Sequence, residues 1–311
     1  TRPQALNAMT YEMCLAIEKA MDAWAADDNV LLVVFDAEGD RAFCSGGDIA
    51  ELYATGSKGD YAYGRQFWTD EYRLNNKIFN YPKPVVSFLQ GFTMGGGVGV
   101  SLHGSHRIVG ETSQIAMPEC NIGLVPDVGG SLMLALAPGR LGEYLGITAS
   151  RMNADDAILC GFADTYVSQF KWITLIEALE ETGDPSVIDT VSEAPEPGPL
   201  RAAQPQIDAL LGGETLGDIL TDLRRDESGF AQDTLKKMHR LRGPSLTLEK
   251  ALDLEYRFTF RAMEHGDFLE GVRAAIIDKD RNPSWQYADM NVPLAAVSQM
   301  LRPLGADALK L

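Results

Sequence analysis

Two short glycine-rich segments hold the residues of this sequence that are best suited to chemistry. The first, CSGGD, spans residues 44–48, and the second, TMGGGVGVSLHG, spans residues 93–104. Each leads into a predicted helix, where glycine leaves backbone N–H groups unobstructed at the positive end of the helix dipole. Two such N–H groups that converge on one carbonyl oxygen form an oxyanion hole, which lowers a reaction barrier by roughly 3 kcal/mol per donor. The alternative is that the glycines only permit tight helix packing.

Three other uses of a glycine-rich loop fail on spacing. Gly95 and Gly97 match two positions of a dinucleotide-binding fingerprint, but Val100 stands where the third glycine is required. No Gly-Lys-Ser or Gly-Lys-Thr ending completes a phosphate-binding loop, and the Gly-x-Ser-x-Gly turn of serine hydrolases is absent. The spacing therefore favours neither a nucleotide-binding loop nor a Ser-His-Asp enzyme.

Alternating helix and strand patterns surround both glycine segments. Apolar residues three and four positions apart predict an amphipathic helix between Ala5 and Trp24, and a β-branched run predicts a strand over residues 30–35. Residues 39–52 are expected to form a loop that enters a helix near Asp48. Further strands are predicted at VVSFL, HRIVG, SQIAM and FADTYVS. This order of elements is typical of an α/β fold.

The length and the change of pattern along the chain indicate two parts. A chain of 311 residues exceeds the size at which one core usually suffices. Strand patterns end near residue 168, and the later sequence is dominated by helix-period patterning. We therefore expect an α/β core with the active site over residues 1–170 and a mainly helical region over residues 171–311.

Charge and cysteine spacing exclude several classes of partner. The net charge of −17 repels phosphate backbones and anionic membrane surfaces, so neither nucleic acid nor membrane is an expected partner. No stretch reaches the roughly 20 apolar residues of a membrane-spanning helix. The four cysteines stand singly, without the paired spacing of a zinc or redox site, so no metal is expected.

Several motifs resemble the crotonase (enoyl-CoA hydratase/isomerase) superfamily when taken together. RPQALNAM, RAFCSGGDI, GFTMGGGVG and MPECNIGLVPDVGG match that family in order and spacing. Within it, the sequence is most similar to the 3-hydroxyisobutyryl-CoA hydrolases, through TMGGGVGVSLHG, AMPE, LEYR and GVRAAIIDKDRNPSW. The resemblance implies a spiral of ββα units with two crossed sheets, followed by a C-terminal helical region.

The resemblance also assigns roles around the thioester of an acyl-CoA substrate. The backbone N–H groups of Gly47 and Gly96 are expected to hold the thioester oxygen, on which negative charge builds during the reaction. Backbone at Ala5, Asp48 and Ile49 is expected to flank the CoA nucleotide. Coenzyme A then enters as part of the substrate, and no tightly bound cofactor is expected.

Two carboxylates complete the expected site. Glu119 follows Met117 and Pro118, where the family places a catalytic carboxylate that either activates water or attacks the thioester and forms an anhydride. Asp127 is expected to position the 3-hydroxyl group of the substrate or to assist proton transfer. It is also suitably placed to cap the helix that follows, and both roles could coexist.

Two further positions bear on the type of reaction. Enoyl-CoA hydratases of the superfamily carry a first glutamate where this sequence has Gly99, so the glycine argues against efficient hydration and is expected to open space. His103, in SLHG, is expected to be a buried core histidine rather than a catalytic group.

The function implied is hydrolysis of 3-hydroxyisobutyryl-CoA to 3-hydroxyisobutyrate and CoA, as in valine breakdown. The alternatives are an enoyl-CoA isomerase or hydratase of the same superfamily and a noncatalytic acyl-CoA binding subunit. The resemblance further implies a homo-oligomer, a trimer or a hexamer. The expected compartment is the bacterial cytoplasm, or the mitochondrial matrix if a leader was removed.

Overall fold

Short strands alternate between two parallel sheets along the first half of the chain. The structure is a computed structural model that describes residues 1–213, 216–237, 247–287 and 292–311. The strands of the described residues are β1 (Val33–Phe35), β2 (Ala42–Cys44), β3 (Val85–Phe88), β4 (Phe92–Met94), β5 (His106–Val109), β6 (Gln114–Ala116) and β7 (Thr165–Tyr166). One sheet has the order β1-β3-β5-β7 and the other has the order β2-β4-β6.

Helices fill the connections and the second half of the chain. In the described residues they are α1 (Tyr11–Ala25), α2 (Ile49–Gly56), α3 (Ala62–Phe79), α4 (Gly96–Ser101), α5 (Gly130–Leu136), α6 (Leu141–Thr148), α7 (Ala154–Leu159), α8 (Trp172–Thr182), α9 (Pro199–Leu210), α10 (Leu216–Arg225), α11 (Gly229–Lys237), α12 (Leu248–His265), α13 (Phe268–Val272) and α14 (Leu294–Leu301). No helix among these is long and apolar enough to cross a membrane.

Each pair of consecutive strands is divided between the two sheets and is followed by helix. After β1 and β2 come α2 and α3, after β3 and β4 comes α4, and after β5 and β6 come α5 to α7. Parallel strands need such crossover connections, because a tight hairpin can join only antiparallel strands. The α/β class and the ββα repeat expected from the sequence are confirmed.

Strand β3, inside the four-stranded sheet, is buried throughout, as strands of parallel sheets usually are. Val85, Val86 and Phe88 of β3 are inaccessible on both faces, which explains why VVSFL is apolar without alternation. Trp172 of α8 packs with Phe88 on one side of the four-stranded sheet, with ring centroids 5.3 Å apart. The main apolar core fills the other side and extends to the C-terminal helices.

The sequence-based boundaries of two elements are wrong near the N-terminus. Helix α1 begins at Tyr11, because Thr10 caps it by accepting a hydrogen bond from the N–H of Met13 at 3.2 Å. Residues 5–10 are predicted to be helical, but the 3₁₀ turn that begins at Pro3 ends at Ala5, and Met9 then pairs with Gly47 in a parallel bridge. Strand β2 forms within the segment that was expected to be a loop.

The C-terminal helices pack directly on the elements of the first part. Helix α12 lies along α3, and α13 contacts the 3₁₀ turn Glu119–Ile122 as well as α2. The division at residue 170 stays a prediction, but residues on both sides of it surround the same cavity.

Candidate active site

The carboxyl ends of β2, β4 and β6 meet at one edge of the three-stranded sheet. Cys44 pairs with Thr93, and Met94 pairs with Ala116, so the three strands end side by side. The loops that follow them carry Gly47, Gly95 and Glu119. These loops line one cavity of about 260 Å³. The sheet topology thus brings together segments that lie far apart in the sequence.

The N–H group of Gly47 points away from the chain that flanks it. On either side of Gly47, the O of Gly46 accepts from Met9 N–H and the N–H of Asp48 donates to Met9 O, each at 2.8 Å. Since successive N–H groups of an extended chain point to opposite sides, the Gly47 N–H is directed away from Met9. No acceptor for it is found among the described residues.

The second amide belongs to the first residue of α4, where an N–H group has no partner within the helix. Gly95 precedes it with φ of 50°, a left-handed conformation that favours glycine. A Cβ atom built on Gly96 would lie 3.1 Å from the N atom of Gly47, so the two amides are neighbours. The geometry brings Gly47 and Gly96 together at the cavity, as an oxyanion hole requires.

Glu119 lies beside this pair of amides. It begins a 3₁₀ turn and is 4% exposed, and its Oε1 lies 2.8 Å from the position of a Cβ atom built on Gly95. Its Oε2 has no hydrogen-bond partner among the described residues. Burial, followed by the negative charge of Asp127, raises the pKa of Glu119 well above its usual value.

Asp127 reaches the same cavity from the loop before α5. Its Oδ2 accepts a hydrogen bond from the Tyr72 hydroxyl at 2.8 Å, and burial raises its pKa to about 7 although this hydrogen bond acts in the opposite direction. The prediction that Asp127 caps the following helix is wrong. The cap position belongs to Gly129, and the side chain of Asp127 turns towards α3 instead.

Glu71 is a buried carboxylate that the sequence analysis missed. It lies on α3 and lines the cavity, is 3% exposed, and has an Oε1 atom without a partner among the described residues. That atom lies 2.6 Å from a Cβ built on Gly96. Burial and the charge of Asp127 raise its pKa well above the usual value. A sequence signal existed, because Glu71 falls within the apolar stripe of α3 formed with Phe67, Trp68 and Leu74.

Glu255, in the LEYR motif of α12, is a second carboxylate whose position the sequence did not reveal. It accepts hydrogen bonds from the N–H groups of Gly129 (2.8 Å) and Ser131 (3.0 Å) and from the Ser131 hydroxyl. Burial raises its pKa to about 7 against the effect of these donors. Glu255 does not itself line the cavity.

The described residues that line the cavity include no Lys, Arg or His to neutralise these carboxylates. Like charges that are buried close together cannot all ionise near neutral pH, so some of the groups keep their protons. A site of this kind holds both a potential general base and a potential general acid. No group of three or more His, Cys, Asp or Glu side chains in the described ranges could hold a metal ion.

The expectation that Gly99 opens space is wrong. A Cβ atom on Gly99 would lie 2.7 Å from Cβ of Val128 and 2.8 Å from Nδ2 of Asn75, so these side chains already occupy the position. His103 is buried, as expected, and its Nε2 donates to the O of Val128 at 2.7 Å. Burial lowers the pKa of His103 to about 4, so the ring is neutral at physiological pH.

Of the residues expected to flank the CoA nucleotide, only one lines the cavity. Ile49 lines the cavity, whereas Ala5 and Asp48 do not. Asp48 accepts from the N–H of Ala50 at 3.4 Å, and its Oδ2 pairs with the guanidinium of Arg2 at 2.9 Å. The roles of all seven predicted site residues stay predictions.

The sequence and the fold are both similar to those of known proteins. The family model described as "Enoyl-CoA hydratase/isomerase" matches residues 1–301. The proteins named 3-hydroxyisobutyryl-CoA hydrolase, mitochondrial, from Rattus norvegicus and Homo sapiens are 35% and 34% identical, over 99% of this chain and 86% of each relative. The solved structure of an enoyl-CoA hydratase from Rhodobacter sphaeroides is 50% identical with a TM-score of 0.94, over 100% of this chain and 95% of that chain. That of a carnitinyl-CoA dehydratase from Mycobacterium thermoresistibile is 35% identical with a TM-score of 0.89, over 98% and 92%.

Proposed function

Because the chain belongs to the enoyl-CoA hydratase/isomerase family, we propose that it hydrolyses the thioester of an acyl-CoA, with 3-hydroxyisobutyryl-CoA as the substrate. The observation that carries the proposal is the pair of neighbouring amides of Gly47 and Gly96, which find no acceptor in the part of the chain that the structure describes, next to the buried carboxyl group of Glu119. The names of relatives that match over almost the whole chain support the acyl group and the hydrolytic reaction.

The two amides would act on the carbonyl oxygen of the thioester. Attack on the carbonyl carbon moves an electron pair onto this oxygen, and the N–H groups of Gly47 and Gly96 would stabilise the resulting negative charge. Both donors are fixed by the backbone, so they need no reorganisation during the reaction. Each would contribute roughly 3 kcal/mol to the lowering of the barrier.

Glu119 would act in its ionised form, by one of two routes. As a general base it takes a proton from water while the hydroxide adds to the carbonyl carbon, and the tetrahedral intermediate then expels CoA, whose thiolate receives that proton. As a nucleophile it expels CoA directly and forms an anhydride, which water opens. Its Oε2 has no hydrogen-bond partner within the described ranges, which leaves that atom available in either case.

Asp127 and Glu71 would contact the acyl part of the substrate. Both line the cavity, and the Tyr72 hydroxyl fixes the direction of Asp127. A carboxylate accepts a hydrogen bond from an alcohol, so Asp127 would hold the 3-hydroxyl group of the substrate. Substrates that lack this hydroxyl group would leave a buried acceptor unpaired and would react more slowly.

Hydration of an enoyl-CoA is the second candidate, because the Rhodobacter sphaeroides protein at 50% identity is titled an enoyl-CoA hydratase. The filled position at Gly99 disfavours it, since a glutamate has no room there.

We further propose that coenzyme A enters as part of the substrate, that Ala5, Asp48 and Ile49 flank its nucleotide, and that the chain forms a trimer or hexamer. For the compartment, the bacterial source of the Rhodobacter sphaeroides structure supports the bacterial cytoplasm. The names of the curated relatives support the mitochondrial matrix as the alternative compartment, and valine breakdown as the pathway.

The test measures free thiol and enoyl absorbance with a panel of 3-hydroxyisobutyryl-CoA, isobutyryl-CoA and but-2-enoyl-CoA. We expect fastest thiol release from the first substrate and no loss of enoyl absorbance from the last. Glu119→Gln should lower kcat by about 10²–10⁴-fold, because it removes the base or nucleophile. Glu177→Gln, the same change on the exposed side of α8, should leave kcat unchanged.

Three outcomes would contradict the proposal. Loss of enoyl absorbance without thiol release identifies a hydratase. Tight acyl-CoA binding without turnover of any substrate identifies a noncatalytic binding subunit. Full activity of Glu119→Gln shows that the catalytic carboxylate lies elsewhere.

A further inference from the structure

The turn that carries Asp127 has a strained backbone. Val128 has φ of 53°, in the left-handed region, although it is β-branched and only 1% exposed. Gly129 follows with φ of 81°. A valine in this conformation is a genuine outlier, and such residues persist only where the surrounding structure holds them. The turn therefore needs contacts that fix residues 127–131.

Three side chains from outside the turn supply these contacts. Tyr72 of α3 donates to Asp127, and His103, which follows α4, donates to the O of Val128. Glu255 of α12 accepts from the N–H groups of Gly129 and Ser131 and from the Ser131 hydroxyl. Glu255 is thus the partner that makes the most hydrogen bonds to the turn, and it comes from a helix more than 120 residues later in the chain.

The hydrogen bonds of Glu255 also close the start of α5. Gly129 is the cap position of this helix and provides no side chain. The N–H of Gly130 donates to the O of Asp127 at 2.7 Å, whereas the N–H groups of Gly129 and Ser131 depend on Glu255 for an acceptor. A buried N–H group without an acceptor is costly, so loss of Glu255 would favour a relaxed turn. Relaxation of Val128 would move Asp127, which directly precedes it, away from the cavity.

We propose that Glu255 is a positioning residue, whose carboxylate holds residues 128–131 in the strained turn that presents Asp127 to the substrate. This inference rests on the proposed function for the part that Asp127 plays. It also gives a structural role to one residue of the LEYR motif and one of the SLHG motif. Glu255 and His103, which lie after and before the turn in the sequence, both form hydrogen bonds to it.

The charge of Glu255 has a second effect that can be measured. The titratable groups that face Glu119 are Asp127 from the loop, Glu255 from α12 and Glu71 from α3, with Cys120 beside it in the chain. Tyr72 and His103 are the further titratable groups that contact the turn. The negative charge of Glu255 raises the pKa of Glu119, so its removal should lower that pKa. The acid limb of kcat/KM should then shift to lower pH, because Glu119 ionises more readily.

The experiment compares Glu255→Gln with Asp253→Asn, the same type of change on α12 at a partly exposed carboxylate paired with Arg257. In Glu255→Gln we expect faster hydrogen exchange at the N–H groups of Gly129 and Ser131. The preference in kcat/KM for 3-hydroxyisobutyryl-CoA over isobutyryl-CoA should fall about 10-fold, because a displaced Asp127 loses the 3-hydroxyl group. Asp253→Asn should match the wild type in exchange, in preference and in pH profile.

Unchanged exchange at both N–H groups in Glu255→Gln would overturn the inference, and so would faster exchange with an unchanged substrate preference. If Glu255→Gln does not fold, Ser131→Ala removes only the hydroxyl donor and makes the same test. It should increase hydrogen exchange at the N–H of residue 131 and lower the substrate preference to a smaller extent, and no change in either would overturn the inference. If the wild type releases no thiol, the proposed function fails, while the exchange rates still decide whether Glu255 holds the turn.

Discussion

At the scale of single residues, Glu71 is a buried carboxyl group whose ionisation makes the folded state less stable. The side chain is buried without a partner for Oε1 and lies near other carboxylates, so its ionised form is unfavourable in the folded chain. A carboxyl group whose pKa is raised by folding favours the folded state below its unfolded pKa. That contribution is lost as the pH rises through the folded pKa. For Asp127 and Glu255 this contribution to the stability of the folded state is lost between about pH 4 and about pH 7.

Glu71→Gln should therefore stabilise the protein at alkaline pH. The amide has nearly the same shape but carries no charge, so the change removes a buried negative charge from the cluster. We expect Tm to rise by about 2–4 °C at pH 8 and the gain to shrink as the pH falls, because the raised pKa of Glu71 favours its uncharged form at lower pH. Thermal unfolding at several pH values measures this, with the exposed Glu177→Gln as the control. A gain that is equal at all of these pH values would refute the explanation.

Only some of the buried carboxylates around the cavity could be predicted from the sequence. Glu119 and Asp127 could be predicted, because they belong to a continuous motif whose resemblance assigns them to the site. Glu71 and Glu255 lie on helices whose patterns only indicate burial, and their importance depends on which loops pack against them. A charged residue in an apolar helix stripe is the signal that could have identified Glu71. For Glu255, the contact with Gly129 is set by tertiary structure alone.

At the scale of elements, the glycines of α4 let this helix pack closely on its neighbours and place the amide of Gly96 at the cavity. A Cβ on Gly97 would lie 2.2 Å from the O of Cys44, so this residue lets α4 rest directly on β2. Gly96 and Gly99 instead face Glu71 and Asn75 of α3. Close packing therefore accounts for Gly97 and Gly99, and the use of the Gly96 amide as a donor to the substrate stays a prediction.

Gly99→Ala should destabilise the protein although alanine favours helices. The added Cβ would clash with Val128 and Asn75, and overpacking of this kind costs about 1–3 kcal/mol, more than the roughly 1 kcal/mol gained in helix propensity. Denaturant unfolding measures the change, and Gly229→Ala, at a position with open space, should not destabilise. Gly99→Glu should also fail to create hydratase activity. A stable Gly99→Glu variant that hydrates but-2-enoyl-CoA would contradict this account.

The elements themselves were predictable where the pattern was long or apolar. The α/β class and strands β1, β3, β5, β6 and β7 followed from short β-branched or apolar runs and from proline positions. Strands β2 and β4 were missed because each is joined directly to a glycine-rich segment, whose composition indicates a loop. The helix expected from Ala5 fails up to residue 10, because Met9 pairs with Gly47, a contact that no local pattern encodes.

At the scale of the whole molecule, the fold makes a site from parts that cannot form one locally. Gly47 and Gly96 meet because β2 and β4 are parallel neighbours that end at the same edge of a sheet. Glu119 joins them because β6 is the next strand in that sheet. The C-terminal helices add Phe268 to the cavity wall and Glu255 to the support of the Asp127 turn.

The central claim is that both amides bind the thioester oxygen, and the carbonyl stretch of a bound substrate tests it most directly. Isotope-edited infrared difference spectra of Glu119→Gln with 3-hydroxyisobutyryl-CoA labelled at the thioester carbon isolate this vibration in a complex that turns over slowly. Two fixed N–H donors polarise the C=O bond, so the account predicts a lower stretching frequency in the complex than in water. A frequency equal to that in water, or higher, would show that Gly47 and Gly96 do not hold the oxygen.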